Sequence, residues 1–150
     1  NGLLVRYLRE LGIDAIGIDV DEKSIQDASK EVRPFLFTGE VTELPFEDEL
    51  FDLVVTFDLF EHLPRTILQE AVTESTRVSS RYILHKIFTL ENWWRLTFHH
   101  HDPSQVSVLH HNFWINLFEN LEGITFAKKN IFHLPLFLES IFLLQKKSSS

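Results

Sequence analysis

Leu3, Leu4, Tyr7, Leu8 and Leu11 recur at the 3.6-residue spacing of an amphipathic helix, with Arg6, Arg9 and Glu10 on the opposite face. The spacing predicts a helix over residues 1–11, and Gly12 follows as its C-cap. The period then changes. Residues 15–20 (Ala-Ile-Gly-Ile-Asp-Val) are a short apolar run that predicts a buried strand with Asp19 at its end. Asp21 is placed to cap a second helix that runs to Arg33, with Ile25, Ala28 and Val32 inward and Pro34 as the stop. Residues 35–38 form a third apolar run, hence another strand, ending at Gly39. The run 51–57, interrupted only by Asp52 and Thr56, is rich in β-branched and aromatic residues. It suits a strand buried on both faces of a parallel sheet.

Pro64 then starts a helix to about Val78, with Ile67, Leu68, Ala71 and Val72 inward, and Ser79 and Ser80 break it. Residues 82–88 read as a further strand. Residues 110–121 are amphipathic, with Phe113, Trp114, Leu117, Phe118 and Leu121 on the apolar side and Gly123 as terminator. Two strands, 124–132 and 138–144, flank Pro135 closely enough for a terminal antiparallel hairpin, and residues 145–150 are a polar tail. Strands that alternate with helices indicate βαβ units with right-handed crossovers. The expected fold is α/β, Rossmann-like and doubly wound, with a mostly parallel sheet and a C-terminal antiparallel hairpin. No repeat or linker interrupts the 150 residues, which predicts one domain. The chain opens on Asn-Gly and contains no methionine. It reads as a fragment that lacks its first strand.

Composition narrows the function classes. A net charge of −8 argues against general affinity for nucleic acid or anionic membrane. The absence of cysteine excludes a disulfide framework and a thiolate metal site, and fits a cytoplasmic enzyme. No apolar run approaches the roughly 20 residues needed to span a bilayer. In open parallel sheets ligands bind at the carboxyl ends of the strands, which directs attention to Asp19, Glu40 and the stretch after residue 57.

Residues 39–64 read Gly-Glu-Val-Thr-Glu-Leu-Pro-Phe-Glu-Asp-Glu-Leu-Phe-Asp-Leu-Val-Val-Thr-Phe-Asp-Leu-Phe-Glu-His-Leu-Pro. This stretch resembles the second half of a class I S-adenosylmethionine-dependent methyltransferase of the type 11 group. In that group a Leu-Pro-Phe block leads into Phe-Asp-Leu-Val and a Glu-His-Leu-like phrase follows. The resemblance implies S-adenosylmethionine as cofactor, a small-molecule substrate and a fold whose first strand and most of whose glycine loop precede residue 1. It also implies a substrate cover at about 91–109, where Asp102-Pro103-Ser104-Gln105-Val106 is similar to a His-x-Asp-Pro-Ser-His-Val phrase, with Gln105 in place of the second histidine.

Residue by residue, the resemblance makes Asp19 the carboxylate that accepts hydrogen bonds from both ribose hydroxyls, and Val20 the side chain packed on adenine. A helix-capping or loop carboxylate is the plainer reading of Asp19. Glu40 and Val41 would meet the adenine amino group and a ring nitrogen, Val41 through its backbone amide. A surface turn is the alternative for Glu40. Gly2 would be the last glycine of the loop at the methionine end, and Phe57 would line that end through its backbone. Asp58, Glu61 and His62 resemble an acid-x-x-Glu-His phrase linked to a divalent cation in some quinone-biosynthesis O-methyltransferases. They are the candidate metal ligands, although no metal is required by the chemistry. His62 is also the candidate general base on a phenol-like hydroxyl. The plainer reading has Glu61 and His62 solvated at a helix start. His99, His100 and His101 are adjacent, point in different directions and read as loop or lid. Trp93, Trp94, Phe113 and Trp114 read as core before substrate cage.

The expected function is therefore methyl transfer from S-adenosylmethionine to an oxygen, nitrogen or carbon of a small molecule. Two other readings compete. A non-catalytic remnant or interaction domain would follow from the missing first strand. A nicotinamide-dependent dehydrogenase would explain Asp19 but not the residue 39–64 phrase or the hairpin. The acceptor, its methylated atom and the oligomeric state stay open.

Overall fold

The computed structural model describes residues 2–90, 102–132 and 139–147. The chain divides into two compact units, Asn1–Pro45 and Phe46–Ser150.

In the first unit, helix α1 (Leu3–Glu10) leads through a turn to strand β1 (Gly17–Asp19), helix α2 (Glu22–Gln26), a 3-10 turn (Arg33–Phe35) and strand β2 (Leu36–Thr38). Gly12 ends α1 as expected. Its φ of +79° lets the Gly12 N–H reach Arg9 O and the Ile13 N–H reach Leu8 O, the paired bonds of a Schellman cap. Strands β1 and β2 pair in parallel, with Asp19 opposite Thr38. Val5, Ala28 and Val32 form the buried centre, with Ala15, Phe35 and Leu36 packed on them.

Two elements are shorter than their patterns suggest. The strand begins at Gly17 rather than residue 15 and is only half-buried. The second helix stops at Gln26 rather than Arg33. Asp27 and Ser29 favour turns over helix interiors because their side chains compete for the backbone. Ala28 and Val32 still turn inward, from turns instead of a helix.

In the second unit, strand β3 (Phe51–Phe57) passes through two 3-10 turns (Phe60–His62 and Arg65–Ile67) into α3 (Leu68–Val78), β4 (Ser79–Phe88), α4 (His111–Glu119), β5 (Ile124–Phe132) and β6 (Glu139–Lys146). The sheet order is β3-β4-β6-β5, with β3 and β4 parallel and β6 antiparallel to both β4 and β5. The expected closing hairpin is present, and Ser79 and Ser80 belong to β4 after ending α3. Strand β3 is not covered on both faces: Leu53 and Phe57 are 48% and 44% exposed, and β3 pairs only with β4 among the described residues. Strand β4 alternates cleanly, with Ile83, His85 and Ile87 buried on one face. Leu68, Ala71, Val72 and Val78 of α3, Trp114 and Phe118 of α4, and Phe142 and Leu144 of β6 are also buried. No described helix is long and apolar enough to cross a membrane.

Candidate cofactor and catalytic sites

The first unit gathers its candidate residues at one rim. Because β1 and β2 run parallel and in register, Asp19 and Thr38 close the same carboxyl edge, and the Gly39 N–H donates to Asp19 O at 3.2 Å. Glu40 follows immediately and is exposed. Its carbonyl accepts from the Glu43 N–H at 3.2 Å, which folds Val41 and Thr42 into a tight turn. The Asp19 carboxylate accepts from the Asp21 N–H at 3.0 Å through Oδ1, and Oδ2 has no partner among the described residues. Capping of α2 falls instead to Asp21, which accepts from the Lys23 and Ser24 amides. Those bonds, first among them the Ser24 hydroxyl, hold its carboxyl below the usual range. Val20 is 69% exposed, an apolar side chain left in water beside a half-free carboxylate. That pair has the chemistry of a nucleoside site: an acceptor for vicinal hydroxyls and a surface for a base.

Gly2 caps α1 with φ +69°. A Cβ there would lie 2.7 Å from Leu36 Cδ1 and 3.1 Å from Val32 Cγ1. Packing of α1 against the interior of its own unit thus already demands glycine, whatever else the position serves.

The second unit holds the other candidates, and it separates them. Phe57 ends β3 half-exposed. Asp58 follows with φ +49°, its N–H on Lys86 O, and both carboxylate oxygens 3.0 Å from Lys86 Nζ. Lys86 also pairs with Glu139 at 3.0 Å. Burial opposes its charge, but hydrogen bonds to Asp58 and Glu139 prevail and hold the ammonium group above its ordinary range. Glu61 is completely buried in the 3-10 turn, which corrects the expectation that it sits solvated at a helix start. Its Oε1 accepts from the Phe88 N–H at 3.2 Å, while Oε2 has no partner among the described residues. Desolvation raises this carboxyl above its usual range. Glu61 lies below the surface because the flanking Phe60 is also fully buried, its ring 4.8 Å from His85 and 5.8 Å from Trp114. His62 turns the other way, half-buried, and its Nδ1 lies 2.9 Å from Ser104 Oγ. Asp58, Glu61 and His62 therefore take three different partners. Among the described residues no three histidine or carboxylate side chains converge on a point that could hold a cation.

Trp114 is fully buried against Phe60 and Phe118, and Phe113 stacks edge-on to it, so this pair belongs to the core. Trp93, Trp94 and the three histidines at 99–101 lie outside the described residues, as does most of the expected cover.

One buried group went unnoticed in the sequence. His85 is fully enclosed, with Nδ1 2.8 Å from Thr56 Oγ1 and its ring stacked on Phe118 at 5.3 Å. Its position between Ile83 and Ile87 at period two was the available signal. Desolvation lowers its pKa to about 3, so the ring is neutral in the folded chain.

Comparison with known proteins agrees with this architecture. The family profile described as "Methyltransferase domain" matches residues 1–81, more than half the chain. No curated protein matches the sequence. Among solved structures, the chain is similar to the PH0226 protein of Pyrococcus horikoshii OT3, at 19% identity and TM-score 0.79 over 97% of this chain and 77% of that one. It is similar to a SAM dependent methyltransferase from Archaeoglobus fulgidus, at 19% identity and TM-score 0.72 over 97% and 81%. It also resembles magnesium protoporphyrin IX methyltransferase from Synechocystis PCC 6803 with bound SAH, at 10% identity and TM-score 0.68 over 91% and 66%. At these identities the structures establish the fold, and the family profile establishes membership. The chain belongs to the methyltransferase domain family, within the class I S-adenosylmethionine-dependent methyltransferases.

Proposed function

We propose that this chain transfers a methyl group from S-adenosylmethionine to an oxygen, nitrogen or carbon of a small molecule, in the cytoplasm and without a nucleic-acid partner. The observation that carries the proposal is the shared rim: Asp19 ends β1 opposite Thr38, the last residue of the parallel strand β2, and Glu40 comes two residues after Thr38 at that same carboxyl edge. The donor set fits the nucleoside portion of the cofactor. Asp19 offers Oδ2 and its remaining lone pairs to the ribose hydroxyls, and a carboxylate accepts two such bonds in a way neutral side chains copy poorly. Val20 supplies the exposed apolar face for adenine, and the Glu40–Val41 turn supplies a carboxylate and a backbone amide for its edge.

When bound, the sulfonium cofactor supplies an already electrophilic methyl carbon, so the protein's tasks are alignment and exclusion of water. Such chemistry needs no covalent nucleophile and no metal. That suits a second unit in which Asp58 is committed to Lys86 and Glu61 to a backbone amide. The net charge of −8 supports an uncharged or cationic small acceptor over a polyanion.

The remnant reading has one observation behind it: β1 and β3 each keep an unpaired edge among the described residues. Family membership and the intact rim weigh against it. The deciding experiment incubates the protein with methyl-labelled S-adenosylmethionine and a panel of phenols, amines and activated carbon acids, with a nicotinamide dinucleotide as binding competitor. Label transfer to one class supports the proposal. Saturable cofactor binding without transfer to any class leaves a binding domain only. Displacement of the cofactor by the dinucleotide at equal concentration supports the dehydrogenase reading instead.

A further inference from the structure

Asp19 is held at two points. Its carbonyl accepts from the Gly39 N–H at 3.2 Å, and its Oδ1 accepts from the Asp21 N–H at 3.0 Å. The second bond closes an Asx turn around Val20. One contact therefore fixes both the rotamer of the carboxylate and the backbone that carries the exposed apolar side chain. Without it the Asp19 carboxylate would be free to exchange rotamers.

The Asp21 side chain is what aims the Asp21 N–H. Its Oδ1 accepts from the Lys23 N–H at 3.1 Å, and its Oδ2 accepts from the Ser24 N–H at 3.2 Å and the Ser24 hydroxyl at 2.7 Å. Both oxygens are thus committed forward, to the first turn of α2. The amide of the same residue, in extended backbone at φ −89°, is committed backward, to Asp19. These bonds hold the Asp21 carboxyl below its ordinary range, so the cap is ionised and in place at neutral pH. The two neighbouring acids therefore differ: Asp21 is engaged by the helix on both oxygens, whereas Asp19 Oδ2 has no partner among the described residues.

We propose that Asp21 is a positioning residue for the cofactor: by capping α2 it holds its own N–H against Asp19 Oδ1, and so presents Oδ2 to the ribose of S-adenosylmethionine already oriented. This rests on the methyltransferase function above and adds to it a residue that acts through Asp19. The physical gain is preorganisation. A carboxylate whose rotamer is set before binding loses little further freedom when the ribose hydroxyls arrive. Having to order one such side chain on binding instead weakens affinity about two- to tenfold. Removing the carboxylate itself is more damaging, because the charge-assisted bonds go with it.

Calorimetric titration with S-adenosylhomocysteine, the unreactive product of the transfer, tests this. The proteins compared are wild type, Asp21→Gly, Asp21→Ser, Asp19→Ala and the combination of Asp19→Ala with Asp21→Gly. Glycine is chosen because it removes the capping oxygens yet is nearly neutral for helix stability at that position. Asp21→Gly should bind about two- to tenfold more weakly than wild type. Asp21→Ser, which keeps a capping oxygen without the charge, should recover most of the loss. Against Asp19→Ala, the added Asp21→Gly change should alter affinity by less than about twofold, since the group it orients is already gone. A cap that merely supports the fold would weaken binding by the same factor with or without the Asp19 carboxylate, and that result overturns the proposal. So does an Asp21→Ser protein as weak as Asp21→Gly, or an Asp21→Gly protein that binds like wild type. An affinity that Asp19→Ala itself leaves unchanged refutes the ribose contact, and the positioning role falls with it.

Discussion

The neutral, enclosed His85 makes stability depend on pH in a way that can be isolated. Its pKa falls from 6.5 to about 3 because burial disfavours the imidazolium, while in the unfolded chain it titrates normally. Below pH 6.5 the unfolded state therefore binds one more proton than the folded state, so this contribution is complete above that value and shrinks as pH falls toward 3. Each pH unit in that window corresponds to about 1.4 kcal/mol. Between pH 6.5 and about pH 4.5 the loss is on the order of 2 kcal/mol. Other groups titrate in the same range, so the comparison is with a variant that lacks only this one. His85→Leu combined with Thr56→Val replaces both partners of the 2.8 Å bond by apolar groups and leaves neither orphaned. Urea unfolding of both proteins at pH 7 and about pH 4.5 gives the difference directly. Wild type should lose about 2–3 kcal/mol more than the double variant over that drop. Parallel loss in the two proteins would refute the enclosed neutral ring.

Glu61 should show the opposite sign. Its carboxyl is raised above 4.5 by desolvation, so its contribution is present on the acid side and lost as pH rises through the raised value. Glu61→Gln should therefore gain on wild type as pH climbs from about 4.5 and then hold a constant advantage; a difference independent of pH would contradict the burial. At Gly2 the backbone sits at φ +69° and an added Cβ would meet Leu36 at 2.7 Å, whereas at Gly12, with φ +79°, it would meet nothing. Left-handed backbone alone costs roughly 1–2 kcal/mol. Thermal unfolding should thus show Gly2→Ala more damaging than Gly12→Ala, and equal midpoints would rule out the packing contact.

The legible parts of this chain were those in which local pattern and tertiary role agree. Strand β3 is bounded as its apolar run suggests, α3 buries the expected Leu68, Ala71 and Val72, and Gly12 caps α1 through the bonds that only a left-handed residue allows. Local pattern misled where turn chemistry intervened, as at Asp27 and Ser29, which end α2 while Ala28 and Val32 still reach the interior. It misled again at Glu61, because a charged side chain beside a histidine reads as surface. Its burial is set by Phe60 and by the amide of Phe88, 27 residues away. The Asp102-Pro103-Ser104 phrase was visible as a turn, but its engagement with His62 spans 42 positions and leaves no periodic trace. The rim carboxylates were readable because a strand-end acid has a position that topology alone fixes.

Everything proposed for the first unit depends on the Asp19 carboxylate meeting the ribose of S-adenosylmethionine. Isothermal titration of wild type and Asp19→Ala with that cofactor tests it. Loss of a charge-assisted pair of hydrogen bonds is worth about 1.5–3 kcal/mol, so the variant should bind roughly ten- to 150-fold more weakly. A wild-type dissociation constant left unchanged by the substitution would contradict the account.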